Sequence, residues 1–139
     1  MRGLRGRQVL AWTSVLAAGA AAAAVRYGFI EPPALGERCA AGATYLPDWC
    51  AWRELVVQGF LHDAYGVAAL VATALAMLRP RRWTATLAAG LGLAATVLYC
   101  YETGALALLA GSLLLVREDD PARTRPPRRH GEQDIQAQP

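Results

Sequence analysis

Four polar side chains, Gln58, His62, Asp63 and Tyr65, interrupt a run over residues 55–78 that is otherwise apolar. An ionised carboxylate near the centre of a membrane-spanning helix costs about 2.5–3.5 kcal/mol on insertion scales, so such a residue is a functional candidate by default. On one continuous helix Glu54, Gln58, His62 and Tyr65 fall at i, i+4, i+8 and i+11, a single face, with Asp63 about 100° further round. Histidine titrates near neutrality, so His62 with Asp63 suits a proton relay, a pH sensor or a cation-handling pocket. Glu102, Arg26, Arg53, Tyr99 and Tyr101 fall at a similar depth in the chain's pattern and are candidates to complete that pocket. Two structural alternatives stand beside this reading. Asp63 pairs with an arginine to set helix register, or residues 49–61 lie as an interfacial helix and Asp63 opens a shorter span over 65–78.

The second group with chemical potential is the cysteines. Cys39 and Cys50 stand in one loop, and a bond between them closes about a dozen residues, contributing about 3 kcal/mol on chain-entropy arguments. The alternative is exchange of electrons with quinone, a role that normally wants a closely spaced Cys-X-X-Cys with a lowered thiol pKa. The chain has no such motif. Four-span proteins that exchange disulfides with quinones share the topology argued below, but no residue role is carried over from them. Cys100 is the odd third thiol. Three cysteines and one suitable histidine do not form a zinc site. The other histidine, His130, lies in the polar tail, so a bis-histidine haem is not expected either. No cofactor, no metal and no catalytic residue is expected.

These residues must be positioned by strongly apolar elements. The chain is 55% hydrophobic and 18% charged, against about 25% charged in an average soluble domain. All 14 basic residues are arginine, which together with the abundant alanine and glycine reads as the composition of a GC-rich bacterial genome. Four segments are nearly free of charge: 9–26, 55–78, 83–100 and 104–117. A membrane span takes about 20 apolar residues, with a range near 17–25, and the last segment is short of it. Helices apolar on every side must be buried in protein or lipid, and so short a chain has too little protein to bury four. The expectation is an all-α membrane protein with four transmembrane helices in a small antiparallel bundle.

Arginine placement orients it. The N-terminal residues 1–8 hold Arg2, Arg5 and Arg7; the loop 79–82 holds Arg79, Arg81 and Arg82; the tail 118–139, preceded by Arg117, holds four more. The loop 27–54 balances its arginines with acids, and the turn 101–103 has none. Positive-inside placement therefore predicts N-in and C-in. The basic start and the run Ala22-Ala23-Ala24 also resemble a signal peptide, so cleavage of the first helix is the alternative to its retention.

In the outward loop Pro32 and Pro33 start an extended stretch, and Asp48 is placed to cap a helix carrying Trp49 and Trp52. Together with Tyr45, these suit the outer headgroup level. Thr103 and Gly104 suggest the start of the fourth helix after a tight reversal. The rows Ala88, Gly92, Thr96 and Ala107, Gly111 suit close helix packing. The tail reads as disordered, and its arginines serve topology rather than nucleic acid. The function expected is a non-enzymatic accessory or interaction subunit of a bacterial inner membrane, its partners being the lipid bilayer and a membrane protein. The alternatives are a small transporter or proton-coupled module built on His62 and Asp63, and a thiol–quinone oxidoreductase.

Overall fold

The computed structural model describes residues 2–40 and 47–118, and among these there are helices and no strands. Helix α1 (Arg2–Val25) runs without a break into a π-helical segment (Arg26–Ile30). Pro32 is extended, and Pro33 then starts α2 (Pro33–Arg38) at the first helical position, where its missing N–H is not needed. There follow α3 (Trp49–Leu61), α4 (Ala64–Leu78), α5 (Arg82–Val97) and α6 (Tyr101–Glu118). Tyr45 and the tail from residue 119 onward lie outside the described residues.

Helix α5 is central, with α1, α4 and α6 all packed on it. Its fully buried positions include Ala88, Ala89, Gly90 and Gly92. Side chains this small let backbones come together, and the α5–α6 pair shows how closely. A Cβ built on Gly111 would stand 2.5 Å from the Ala89 nitrogen, and one on Gly104 would stand 2.6 Å from the Thr96 nitrogen. A Cβ on Gly92 would run into the Leu108 backbone. These pairings set α5 and α6 antiparallel. Gly19 meets Leu93, and Arg26 reaches the Val97 carbonyl at 2.9 Å, so α1 and α5 run parallel. The N-termini of α1 and α5 and the C-termini of α4 and α6 thus share one end, which carries Arg7, Arg79, Arg81, Arg82 and Arg117. That basic end faces away from a distal end built from the π-helical segment, α3 and the α5–α6 turn.

Packing is inverted relative to a protein folded in water. Among the described residues the buried hydrophobic core holds nine alanines, and Leu115 is the one large side chain fully enclosed. Leu10, Leu16, Val71, Leu75, Met77, Leu78, Leu106, Leu109 and Leu113 all point outward, each more than half exposed.

Length and hydropathy qualify one helix, Gly6–Ile30, to cross a membrane by itself. Trp49–Leu61 and Ala64–Leu78 qualify only as a pair, bent by 62° at the break between them. Helices α5 (16 residues) and α6 (18 residues) are about 24 and 27 Å long at 1.5 Å per residue.

The stretch expected to be extended after Pro32-Pro33 is helical from Pro33 to Arg38, and two helix boundaries also differ from the sequence expectation. The helix expected over 55–78 is broken at His62-Asp63, and its first part begins earlier, at Trp49. The outer turn expected at 101–103 falls instead at Leu98-Tyr99-Cys100, with Glu102 and Thr103 already inside α6. Each break is centred on a residue in the left-handed region, Asp63 (φ 52°) and Tyr99 (φ 73°). Asp48 precedes α3 as expected but makes no side-chain capping bond.

Candidate functional site

The polar residues singled out by sequence gather at the distal end, but in two separate sets. The break at residues 62–63 ends the common face on which Glu54, Gln58, His62 and Tyr65 were expected. Gln58 Nε2 donates to Glu54 Oε1 (2.7 Å), and His62 Nδ1 lies 3.0 Å from the Gln58 carbonyl, to which it donates when Nδ1 is protonated. This ladder stays on the exposed side of α3, and Gln58 and His62 are both open to the surroundings. Tyr65 turns the other way. Its hydroxyl donates to the Val56 carbonyl at 3.3 Å and its ring packs with Phe60 against Ala69, Ala95 and Ala107.

Asp63 is the hinge between α3 and α4. Its N–H donates to the Phe60 carbonyl (3.1 Å), closing α3, and its carbonyl accepts from Val67 N–H (2.9 Å), opening α4. Its side chain reaches across the bundle, where Oδ1 accepts from the Thr103 hydroxyl of α6 at 3.0 Å. Gly66 leaves room for that bond, since a Cβ there would coincide with Thr103 Oγ1 and approach Asp63 Oδ1 to 2.5 Å. Cys100 is buried beside this junction, among Ala69, Ala95 and Ala107. Glu102, in the first turn of α6, is exposed and is not drawn into the Asp63 junction.

A second polar junction centres on Arg26. Its Nε donates to Glu31 Oε1 at 2.8 Å and its terminal nitrogen donates to the Val97 carbonyl at 2.9 Å. The guanidinium stacks 4.0 Å from the Tyr99 ring centroid, a cation–π contact, and the Tyr99 hydroxyl donates to the same Glu31 oxygen at 2.7 Å. Tyr99 also packs on Phe60 with centroids 5.3 Å apart. Contacts from Arg26 of the π-helical segment, from Glu31 and from Phe60 of α3 thus hold Tyr99 in a conformation that costs a non-glycine residue about 1–2 kcal/mol. Arg26 and Tyr99 were expected at this depth. The sequence around Glu31 carries no signal of this role, because its adjacency to Pro32-Pro33 gives no hint of a partner at Tyr99.

The disulfide expected in the loop is present, with Cys39 and Cys50 at an Sγ–Sγ distance of 2.08 Å and Cα atoms 5.7 Å apart. It joins the end of α2 to the start of α3, while Phe29 packs on Trp49 with centroids 6.2 Å apart. Arg53 of α3 donates to the Ile30 carbonyl at 3.0 Å. Together these contacts hold α2 and α3 against the π-helical end of α1. No group of His, Cys, Asp and Glu able to hold a metal occurs among the described residues.

Bonding by Arg26, and then by the Tyr99 hydroxyl, holds the Glu31 carboxyl below its ordinary value. A carboxyl depressed in the folded state contributes stability that is present above its unfolded pKa, about 4.3, and is lost as pH falls through the folded value. The clamp is therefore expected to be indifferent to pH between 5 and 8 and to open only in acid. Carboxyl 13C NMR should place Glu31 below ordinary glutamate and Arg26→Gln should return it upward. A wild-type titration at or above the ordinary value would refute this account.

No protein-family model, curated protein or solved structure matches this chain.

Proposed function

We propose that the chain is a four-span integral protein of a bacterial inner membrane, N-in and C-in, acting without catalysis as an accessory or interaction subunit. The observation that carries this reading is the inverted packing. Lipid tails are as apolar as leucine, so helices in a bilayer associate through small residues and leave the large apolar ones on the outside. In water the same surface would be an aggregation liability. In the most apolar window of Gly6–Ile30 only 22% is buried within the chain, where the core helix of a soluble protein would be mostly covered. The packing of α1 along α5 favours a retained first helix over a cleaved one. Tyr27, Trp52 and Tyr101 at the distal end and Trp83 at the basic end, all exposed, suit the two headgroup levels. Helices α5 and α6 are a few ångströms shorter than a core of about 30 Å, which local thinning accommodates at fractions of a kcal/mol per ångström.

The accessory role is supported by what the polar groups do. The side-chain bonds of Asp63, Tyr65, Arg26 and Glu31 tie one element to another, as a scaffold requires. The transport reading has one observation of its own, a half-buried carboxylate at a helix break, and the Asp63 substitutions argued in the Discussion separate the two.

Alkaline carbonate should leave the protein in the membrane pellet. Alkaline phosphatase fused after Ala40 should be active, and fusions after Arg81 and Glu118 inactive. Release by carbonate, or an active fusion after Arg81, would overturn the topology. Extraction from native membranes in mild detergent should yield a stoichiometric complex. A lone monomer would remove the accessory role while leaving the topology intact.

A further inference from the structure

Helix α3 is held at both ends and along one face. At its C-terminal end the left-handed Asp63 bends it 62° from α4. Along its inner face Val56, Val57 and Phe60 pack on Ala22, Ile30 and Leu98, and Phe60 also reaches the cluster that encloses Cys100. At its N-terminal end the Cys39–Cys50 bond ties it to α2, a helix without a buried residue, which follows the end of α1 through Pro32. The outer face of α3 is apolar too, with Trp52, Leu55 and Leu61 all exposed. The bond itself is placed to be broken and remade. Both cysteines are half-buried rather than enclosed. Cys50 lies in the first turn of α3, where the field of the helix favours a thiolate, and Asp48 precedes it without a capping bond. A sulfur that leaves readily as thiolate makes its disulfide more easily reduced.

We propose that Cys39–Cys50 is a redox latch, holding α3 closed over the α5–α6 turn until a dithiol protein opens it. The donor's thiolate attacks Cys39 Sγ, Cys50 leaves as the thiolate, and the donor's second thiol resolves the mixed disulfide. The Cys39–Cys50 bond is thereby replaced by two thiols, with two electrons and two protons from the donor, and the donor closes its own disulfide. Freed from α2, α3 pivots at Asp63 and uncovers Leu98 and the cluster around Cys100. Its apolar outer face gives it a second place to lie, turned out into the headgroup layer. Helices α5 and α6 stay together, because their contact at Gly92, Gly104 and Gly111 owes nothing to α3. The electrons move a helix and pass no further, so a closely spaced Cys-X-X-Cys is not required. Only the compartment of the latch rests on the membrane reading above; the coupling of bond to helix does not.

Hydrogen exchange and site-resolved alkylation, both read by mass spectrometry on the full chain in neutral detergent, test the latch. Under dithiothreitol the amides of residues 56–61 and the alkylation of Cys100 should each accelerate about tenfold or more, as local opening requires, while residues 85–95 and 107–115 stay protected. Reoxidation with diamide should restore both rates. The double variant Cys39→Ser with Cys50→Ser should show the open state without reductant, and where it fails to accumulate, reversible reduction of the wild type decides. Reduced thioredoxin should open the latch as dithiothreitol does, and a thioredoxin lacking its resolving cysteine should be trapped on Cys39. Three results would each overturn the latch. Rates unchanged by reduction leave the bond a static staple, acceleration across residues 85–115 makes it a support of the whole fold, and resistance to both dithiols under native conditions leaves nothing to switch. An inactive alkaline phosphatase fusion after Ala40 is a different failure, since it moves α3 to the other compartment and leaves the exchange result standing.

Discussion

Gly111→Ala and Gly92→Ala are each expected to open the α5–α6 hairpin, although alanine is the better helix former. Two effects oppose. Replacing a helical glycine by alanine gains up to about 1 kcal/mol in propensity. Against this, the new methyl at residue 111 meets Ala89 N at 2.5 Å and Ala89 Cα at 2.9 Å, both backbone atoms of the facing helix. At Gly92 the obstacle is the backbone of Ala107 and Leu108. A crowded side chain escapes by changing rotamer, but a backbone escapes only by moving the helix, and overpacking of this kind costs about 1–3 kcal/mol. The clash therefore wins, and the lost close contacts of Ala88, Ala89 and Ala107 add to it. Gly28→Ala is the matched control, since nothing lies within 4 Å of its Cβ. Cys100 supplies the readout: it is the buried free thiol in the turn between the two helices. Its alkylation under native conditions should accelerate about tenfold for each 1.4 kcal/mol lost. The double variant should cost less than the sum, because separating the helices at one glycine relieves the other. Alkylation as slow as in wild type, with Gly28→Ala no different, would mean the interface tolerates the methyls.

What sequence could reveal follows from where each determinant lies. The helical class, the α5–α6 hairpin and the facing rows Ala88-Gly92-Thr96 and Ala107-Gly111 depend on composition and local spacing, and they appear in the fold. The Cys39–Cys50 pair needed only a loop of suitable length. The break at Asp63 matches the alternative with a separate helix over 49–61, but local sequence does not select it over one continuous helix, because residues 62 and 63 include neither proline nor glycine, the usual interrupters of a helix. What places Asp63 in the left-handed region is in part a hydroxyl forty residues away, Thr103, reached through the space left by Gly66. The second turn misled in the opposite direction. Glu102-Thr103-Gly104 looks like a reversal, yet Gly104 is needed for contact with Thr96, and the reversal moves to Tyr99. Tyrosine is a poor turn residue by itself, and Arg26, Glu31 and Phe60 hold it there. Both misplacements have the same cause: a tertiary bond overrides local propensity. The proposed pocket suffered with them, because the face joining His62 to Tyr65 exists only on an unbroken helix.

Asp63 is the residue at which structural and transport roles diverge most sharply, and Asp63→Asn is expected to leave the protein nearly unchanged. Asparagine is among the few side chains that accept left-handed backbone, and its Oδ1 can still accept from Thr103. Alanine fails on both counts. It meets the full left-handed penalty of about 1–2 kcal/mol, and it leaves the Thr103 hydroxyl in a half-buried site without its acceptor, a further loss of about 1 kcal/mol. Asp63→Ala should therefore lose about 2–3 kcal/mol, while Asp63→Gly, which relieves the backbone, should lose only the share of the hydrogen bond. Thr103→Val should match that share in wild type and cost much less in the Asp63→Ala background. These values can be read from denaturant unfolding in detergent, with protein abundance in cells as the counterpart. A proton- or cation-coupled role predicts a different order. Removal of the charge alone would then be the damaging change, so Asp63→Asn would abolish a pH-dependent flux while abundance stayed normal. If Asp63→Asn is silent and Asp63→Ala is not, the carboxylate serves as a hinge that fixes the angle between α3 and α4. If Asp63→Asn silences a flux at normal abundance, the scaffold reading of this junction fails, and the same hinge becomes the place where the charge does its work.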